Sequence, residues 1–352
     1  MKKFYSLKVL ELESLTLESV KVVFDTSGLE TFSFKAGQYI TLRKEINNKD
    51  VRRSYSLSSA PGEGIEIGVK RIENGLMSTF LTKELKVGDF IDVMLPTGNF
   101  YLDSKKKANH YVAICSGSGI TPILSMIYQV LNYNSDSFFT LIYGNKTIHS
   151  TMFLDDLRLL ENKFQSQFFI HYVFSRQDVP DCLKGRINSN LLEEIFRSHK
   201  NLKDVDSYFL CGPGEMIDNV NQFLQDIDTE SSKIHFERFT SGLSKNVDDS
   251  DKKKNKKEII SNIIVSVDGD DFEFKLSSNG ATILDAAMNE GADVPYSCKG
   301  GVCCVCKAKV MEGEVRMNQN FSLSEEEVSQ GYILGCQAHP VSENVVVDFD
   351  EM

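Results

Sequence analysis

Four cysteines near the end of the chain constrain its fold more than any other feature. Cys298, Cys303 and Cys306 form a C-x4-C-x2-C array, and Cys336 follows about thirty residues later. Between the first two, Lys299-Gly300-Gly301-Val302 can wrap a compact inorganic core. Glycine lets backbone N–H groups approach sulfide with no Cβ in the way. The distant fourth thiolate must arrive from another part of the fold and close the site. This is the spacing of plant-type 2Fe–2S ligation. Structural zinc is the competing occupant, but it favours two C-x2-C pairs, and here one such pair stands beside an x4 gap. Cys304 is a spare thiol next to the array. Cys115, Cys182 and Cys211 lie far from it in sequence and are not expected to be ligands.

The rest of the chain must supply further domains, because 352 residues exceed one small core and suggest two or three. Residues 1–104 alternate apolar and polar, as in Val20-Lys21-Val22-Val23-Phe24, between turn signals such as Ala60-Pro61-Gly62 and Pro96-Thr97-Gly98. That pattern predicts a small antiparallel β-barrel or sandwich. Over 105–242, apolar strands near 111–115, 138–143, 168–174 and 207–211 alternate with helical segments. That predicts an α/β domain with a parallel sheet covered on both faces. Residues 243–257 are polar and lysine-rich and read as a flexible charged linker, with a basic binding patch as the alternative. A last domain then spans 258–352.

Net charge is −11, unevenly placed. From Glu258 onward there are five Lys/Arg and seventeen Asp/Glu, so this segment carries essentially all of the acidity. That argues against nucleic-acid binding there. It suits docking on a basic surface by electrostatic steering, and equally suits solubility alone. After Met1-Lys2-Lys3, Glu11 and Glu13 interrupt any apolar export signal. The uncharged stretch from Tyr111 to Leu131 is long enough to span a bilayer, but Gly117-Ser118-Gly119 and Thr121-Pro122 break it into strand, loop and helix. A cytoplasmic protein with reduced thiols and no membrane partner is expected.

Two more segments carry binding chemistry. Arg53-Ser54-Tyr55-Ser56 sits on a barrel strand. Arginine can clamp a pyrophosphate, and a tyrosine two residues on shares its face and can stack on a flat ring. Downstream, Lys70 and the run Gly75-Leu76-Met77-Ser78-Thr79 add phosphate chemistry, the latter at a predicted helix N-terminus. Together they make a dinucleotide-sized flavin plausible. Gly117-Ser118-Gly119-Ile120-Thr121-Pro122 follows a strand and precedes a helix, which suits a pyrophosphate. It is not a G-x-G-x-x-G turn, and Gly144-Asn145-Lys146 stands where an acidic ribose ligand would be expected, so a plain Rossmann NAD domain is rejected. Ser175-Arg176 and Lys184-Gly185-Arg186 place cations where a 2′-phosphate would lie, favouring NADPH over NADH. Cys211 ends the fourth strand before Gly212-Pro213-Gly214; it either neighbours the nicotinamide or is a buried structural thiol.

These motifs resemble the ferredoxin–NADP reductase superfamily, in the branch with a C-terminal plant-type ferredoxin domain. The resemblance rests on Arg52-Arg53-Ser54-Tyr55-Ser56-Leu57-Ser58-Ser59, Phe236-Glu237-Arg238-Phe239, Pro295-Tyr296-Ser297-Cys298-Lys299-Gly300-Gly301-Val302-Cys303 and Leu334-Gly335-Cys336-Gln337-Ala338-His339-Pro340. Nearly the whole chain is covered. It implies a β-grasp fold for the last domain, with Cys298, Cys303, Cys306 and Cys336 on the cluster. It implies FAD, with Arg53 on the pyrophosphate, Tyr55 stacked on the ring, Ser56 near the reactive nitrogen, and Lys70 with Gly75, Met77, Ser78 and Thr79 completing the site. Gly117, Gly119 and Thr121 would bind the nicotinamide dinucleotide, and Ser175 and Arg176 its 2′-phosphate. Cys211 would neighbour hydride transfer, and Glu237 and Phe239 would close over the flavin. Ser56, Cys211 and Glu237 are thus the catalytic candidates. The departure is Cys304, where a small residue other than cysteine is usual.

The resemblance is nearest to reductases serving phenylacetyl-CoA epoxidases of the ring-1,2-epoxidising kind in phenylacetate degradation. It implies an oxygenase, or another one-electron acceptor protein, as partner. An FMN- and NADH-dependent reductase of a Rieske-type dioxygenase is the first alternative. A non-catalytic redox carrier or sensor is the second.

Overall fold

The structure is a computed structural model that describes residues 4–103, 110–133, 136–239 and 258–351. The expected linker at 243–257 lies outside the described residues. The larger of two compact units holds Phe4–Val51 and Tyr55–Phe239. The other contains Arg52–Ser54 and the chain from 258 onward.

Six strands form the N-terminal sheet: β1 (Phe4–Thr16), β2 (Ser19–Phe24), β3 (Tyr39–Ile46), β4 (Lys49–Ser56), β5 (Ile65–Lys70) and β6 (Phe90–Met94). Their order is β4-β3-β6-β1-β2-β5, with antiparallel pairing. Leu57, just past β4, bridges Ile67 on β5 and brings the two edge strands together. The period-two pattern explains the interior. Val9, Val22, Phe24, Ile40, Leu42 and Ile67 point inward and are buried. Helix α1 (Leu76–Lys83) turns Met77 and Leu81 into the same core.

The second sheet is parallel throughout: β7 (His110–Ser116), β8 (Phe138–Asn145), β9 (Phe168–Phe174), β10 (Leu183–Lys184), β11 (Ser207–Gly212) and β12 (Ile234–Arg238). Its order is β10-β9-β8-β7-β11-β12. Helices α2 (Ile120–Tyr133) and α3 (Leu154–Lys163) cover one face, and α4 (Ser189–Ser198) and α5 (Gly214–Asp226) the other. The strands are buried on both sides, which explains their near-continuous apolar runs. The chain leaves β7 toward β8 and later returns to β11 on the opposite side. The crevice between β7 and β11 is therefore the switch point, where ligands bind outside the carboxyl ends of strands. The uncharged stretch 111–131 resolves into β7, a short 3-10 turn and α2. Among the described residues, no helix is long and apolar enough to cross a membrane.

The barrel and this sheet pack as one unit. A Cβ on Gly68 of β5 would fall 2.6 Å from the Phe153 ring and 2.8 Å from the Thr121 methyl. Ser125 of α2 donates to the Ser59 carbonyl at 2.6 Å.

The C-terminal unit is a mixed five-stranded sheet, β14-β13-β19-β15-β17, with α6 (Ile283–Asn289) packed on it. Its strands are β13 (Ile260–Val267), β14 (Asp270–Ser277), β15 (Lys307–Glu312), β17 (Tyr332–Leu334) and β19 (Asn344–Asp348). β16 (Val315–Met317) and β18 (Ala338–Pro340) form a small second ladder, and α7 (Glu325–Ser329) precedes β17. Thr282 caps α6 by accepting from the Asp285 amide, and Ser324 and Glu327 form a capping box on α7. The core holds Ile263, Val265, Ile283, Leu284, Val345, Val347 and Phe349.

Candidate functional site

The structure brings the four array cysteines together as two pairs. Cys298 faces Cys303, whose thiol also accepts from the Cys298 amide at 3.4 Å. Cys306 faces Cys336. The pairs adjoin, since Cys336 feels the charge of Cys298 and Cys306 that of Cys303. Among the described residues, no three His, Cys, Asp or Glu side chains converge as a single-ion site requires. Cys303, Cys306 and Cys336 are buried, and Cys298 is half-buried. The loop carries three residues in the left-handed region, Lys299 (φ +51°), Gly301 (φ +74°) and Cys304 (φ +47°), and such turns aim amides inward. Gly300 N–H donates to Cys298 Sγ at 3.3 Å. The Cys303 thiol first, then the amides of Gly300, Val302 and Cys303, draw the Cys298 thiol below its ordinary value despite its burial. Gln337 Nε2 donates to Cys336 Sγ at 3.8 Å. A cradle of donors aimed at sulfur suits thiolates carrying a shared negative charge. Cys304 turns elsewhere: its thiol donates to the Ser322 carbonyl at 3.2 Å.

Strand β4 carries the arginine–tyrosine–serine run. Arg53 is exposed, and its guanidinium donates to the Arg52 carbonyl at 2.6 Å. Tyr55 is half-buried against the barrel core. The Ser56 hydroxyl donates to Glu237 Oε2 on β12 at 3.4 Å. Glu237 is registered beside Cys211 on β11, which is registered beside Cys115 on β7. Cys211 and Cys115 are fully buried. Burial pushes the Glu237 carboxyl up to about 8, against the pull of the Ser56 hydroxyl. Burial also raises the Cys211 thiol, helped by Glu237 and Cys115. Ser56 and Glu237 thus meet as a neutral, hydrogen-bonded pair at the carboxyl end of β12, with the protonated Cys211 thiol beside Glu237. Phe239 lies just beyond, packed on the α2 side of the sheet.

Lys70 ends β5 half-buried, and burial lowers its ammonium, with Lys146 next in effect. Among the described residues neither Arg53, Lys70 nor Lys146 has a carboxylate within ion-pair distance, so these cations remain available to an anion. Of the Gly75–Thr79 run, Met77 is in the core. Ser78 Oγ accepts from the Ile72 amide at 3.1 Å and donates to the Gly75 carbonyl at 3.3 Å. Thr79 N–H donates to the Gly75 carbonyl at 3.0 Å.

The turn after β7 opens the switch-point crevice. Gly117 takes φ +57°. A Cβ on Gly119 would stand 2.3 Å from the Cys211 carbonyl oxygen, so only glycine lets this turn lie on β11. Thr121 Oγ1 donates to the Ser118 carbonyl at 3.0 Å, and the Tyr143 hydroxyl to the Gly117 carbonyl at 3.0 Å. Beyond β9, Ser175 and Arg176 are exposed and anchored by backbone bonds to Asn145 and Lys146. Lys184 is paired with Asp178 at 2.8 Å. Arg176 and Lys146 therefore remain the cations beside β8.

Sequence reasoning missed three residues of this crevice. Lys146 appeared only as a missing acid. Cys115 gave no signal, because only the β7–β11 register places it beside Cys211. Asn145 is buried at the end of β8 beside the Tyr143 hydroxyl, and neither of its amide atoms has a hydrogen bond of good geometry among the described residues. Such orphaned buried atoms are rare and suit a polar ligand.

Residues 6–101 match the family model of an oxidoreductase FAD-binding domain, 113–222 that of an oxidoreductase NAD-binding domain, and 265–341 that of a 2Fe-2S iron-sulfur cluster binding domain. A 1,2-phenylacetyl-CoA epoxidase component of Escherichia coli is 39% identical over 99% of each chain. The ferredoxin reductase component of 3-ketosteroid-9-alpha-monooxygenase from Rhodococcus rhodochrous is 31% identical, covering 91% of this chain and 89% of its own. Among solved structures, phthalate dioxygenase reductase superposes with a TM-score of 0.62 at 25% identity, covering 98% of both chains.

Proposed function

Since this chain belongs to the flavin- and iron–sulfur-dependent reductases of oxygenase systems, we propose that it passes electrons from NADPH, through FAD and a 2Fe–2S cluster, to an epoxidase acting on phenylacetyl-CoA. The observation that carries the electron-transfer reading is the two-by-two pairing of four thiols in a chain that also holds the Ser56–Glu237–Cys211 group. Cys298, Cys303, Cys306 and Cys336 would hold a 2Fe–2S cluster, which would supply one-electron chemistry there. The acceptor is proposed from the similarity to the E. coli epoxidase component over the full length of both chains.

When bound, the flavin accepts a two-electron equivalent from the nicotinamide, and the cluster carries single electrons onward. The protein supplies position and electrostatics. Arg53 offers the FAD pyrophosphate a guanidinium that no described carboxylate neutralises, and Tyr55 offers a half-buried ring for stacking. Ser56 places a hydroxyl, backed by the uncharged Glu237, where the reactive nitrogen would lie. The Gly75–Thr79 turn contributes through its backbone, since Met77 and Ser78 side chains serve the barrel. Gly117, Gly119 and Thr121 shape the turn for the dinucleotide, and the first amides of α2 face it. Lys70 and Lys146 flank it with charge. Ser175 and Arg176 would hold a 2′-phosphate, which favours NADPH. Domain limits at 1–104, 105–242 and 258–352 fit these roles, as does a cytoplasmic location.

Anaerobic addition of NADPH tests this reading. Both flavin and cluster absorbance should bleach, and phenylacetyl-CoA epoxidation by the oxygenase components should depend on the reductase. No bleaching with NADPH or NADH would overturn it. The Rieske-type alternative draws on the likeness to phthalate dioxygenase reductase. Releasing the flavin and identifying it as FAD or FMN separates the two.

A further inference from the structure

We propose that Arg238 is a positioning residue: held by Asp218 of α5, it fixes the end of β12 and so keeps Glu237 and Phe239 on the flavin side of the sheet. The inference rests on reading those two residues as part of the flavin site. β12 is a five-residue edge strand bonded only to β11. Its end is the weak point of the ladder, where the Phe239 amide reaches the Gly212 carbonyl at 3.2 Å. Edge ends with few neighbours open most readily.

Strand alternation sends Glu237 toward the Cys115 and Cys211 side and Arg238 to the opposite side, against α5. There the guanidinium meets Asp218 as a fork. Nη1 donates to Oδ2 at 3.2 Å, and Nη2 donates to Oδ1. The Phe236 ring lies 5.7 Å from the guanidinium carbon. Gly214 leaves room for the fork, because a Cβ there would fall 3.1 Å from Nη1. The same pair ties β12 to the helix that starts at Gly214, directly after Gly212 and Pro213 at the end of β11. One contact therefore sets both strand ends that frame Glu237. A two-point fork fixes angle as well as distance, which a lysine ammonium does not. Without it the end of β12 would fray. Glu237 would lose its bond to Ser56 and its seat beside Cys211, with Cys115 behind them, and would hydrate.

The test uses the full-length holoenzyme and anaerobic stopped-flow reduction of the flavin by NADPH across pH. Arg238→Ala and Asp218→Ala should each slow reduction roughly tenfold. Both should leave the KM for NADPH within about twofold, as expected when geometry rather than binding is lost. Both should also move the Glu237-linked inflection to lower pH, and Arg238→Lys should recover part of the rate. If Arg238→Ala fails to hold flavin, Arg238→Lys alone decides, because it keeps the charge and loses the fork. Unchanged rate and inflection, or a loss in Arg238→Ala not shared by Asp218→Ala, would overturn the proposal. Glu237→Gln separates the two levels. If the inflection survives in that variant, the reading of Glu237 fails and the positioning role falls with it. If Glu237→Gln removes the inflection while the Arg238 variants behave as wild type, only the positioning role fails.

Discussion

In the C-terminal unit, three of the four array thiols come from nine consecutive residues, 298–306. In the larger unit, Ser56 and Glu237 meet across 181 residues of sequence, and Cys211 joins them from a third element. The first site is side-chain chemistry, with three of its thiols on one loop and the fourth, Cys336, from the turn after β17. The second is mainly backbone: a glycine turn, strand ends and register. A local site can be deleted one ligand at a time. A distributed one should degrade by degrees, according to how much of the fold each residue fixes.

The sharpest test of that contrast is Cys303→Ser. It should abolish iron and acid-labile sulfide while NADPH-driven reduction of ferricyanide through the flavin persists. Retention of a full cluster would mean that Cys304 substitutes, and would end the assignment made from spacing. Next is Arg176→Ala, where loss of a charge-assisted hydrogen bond, about 1.5–3 kcal/mol, should raise the KM for NADPH at least roughly tenfold and leave that for NADH unchanged. Equal effects on both nucleotides would remove the 2′-phosphate role. Gly119→Ala should cost about 1–3 kcal/mol in urea unfolding, because its Cβ has no room against β11. A neutral result would show that the turn is not pinned there.

A subtler test concerns pH. Glu237 rises from 4.5 in the unfolded chain to about 8 in the folded one. The folded state therefore holds the proton longer, and stability from this group is full below the unfolded value and is lost as pH rises toward 8. In the flavin-free protein, Glu237→Gln should gain melting temperature relative to wild type across that window and gain no more above it. A constant difference would place the carboxyl in water. Smallest of all, Cys304→Ser should leave cluster content and turnover unchanged.

How much could be read in advance follows the same divide. The cysteine spacing pointed to four thiols that the fold does bring together, because loop geometry is local. The strands of the parallel sheet were legible from their apolar runs, and the alternation of the first hundred residues foretold the barrel. Cys115 beside Cys211, and Asn145 orphaned at the end of β8, were not legible. No spacing rule encodes which strands become neighbours, and the order β10-β9-β8-β7-β11-β12 exists only after folding. The Gly75–Thr79 run shows a partial success: the helix start was foreseen, but alternation could not tell that Met77 would turn into the core.

Gly68 carries a lesson for anyone building chimeras. Its bare backbone on the barrel receives Phe153 and Thr121 from the nucleotide-binding half. A foreign nicotinamide domain grafted behind this barrel would arrive with its own side chains at those two positions, and the seam would either gape or clash. Exchange of cofactor preference between relatives should thus succeed when the swapped segment begins ahead of Gly68, and fail when the cut is placed at the border after residue 104.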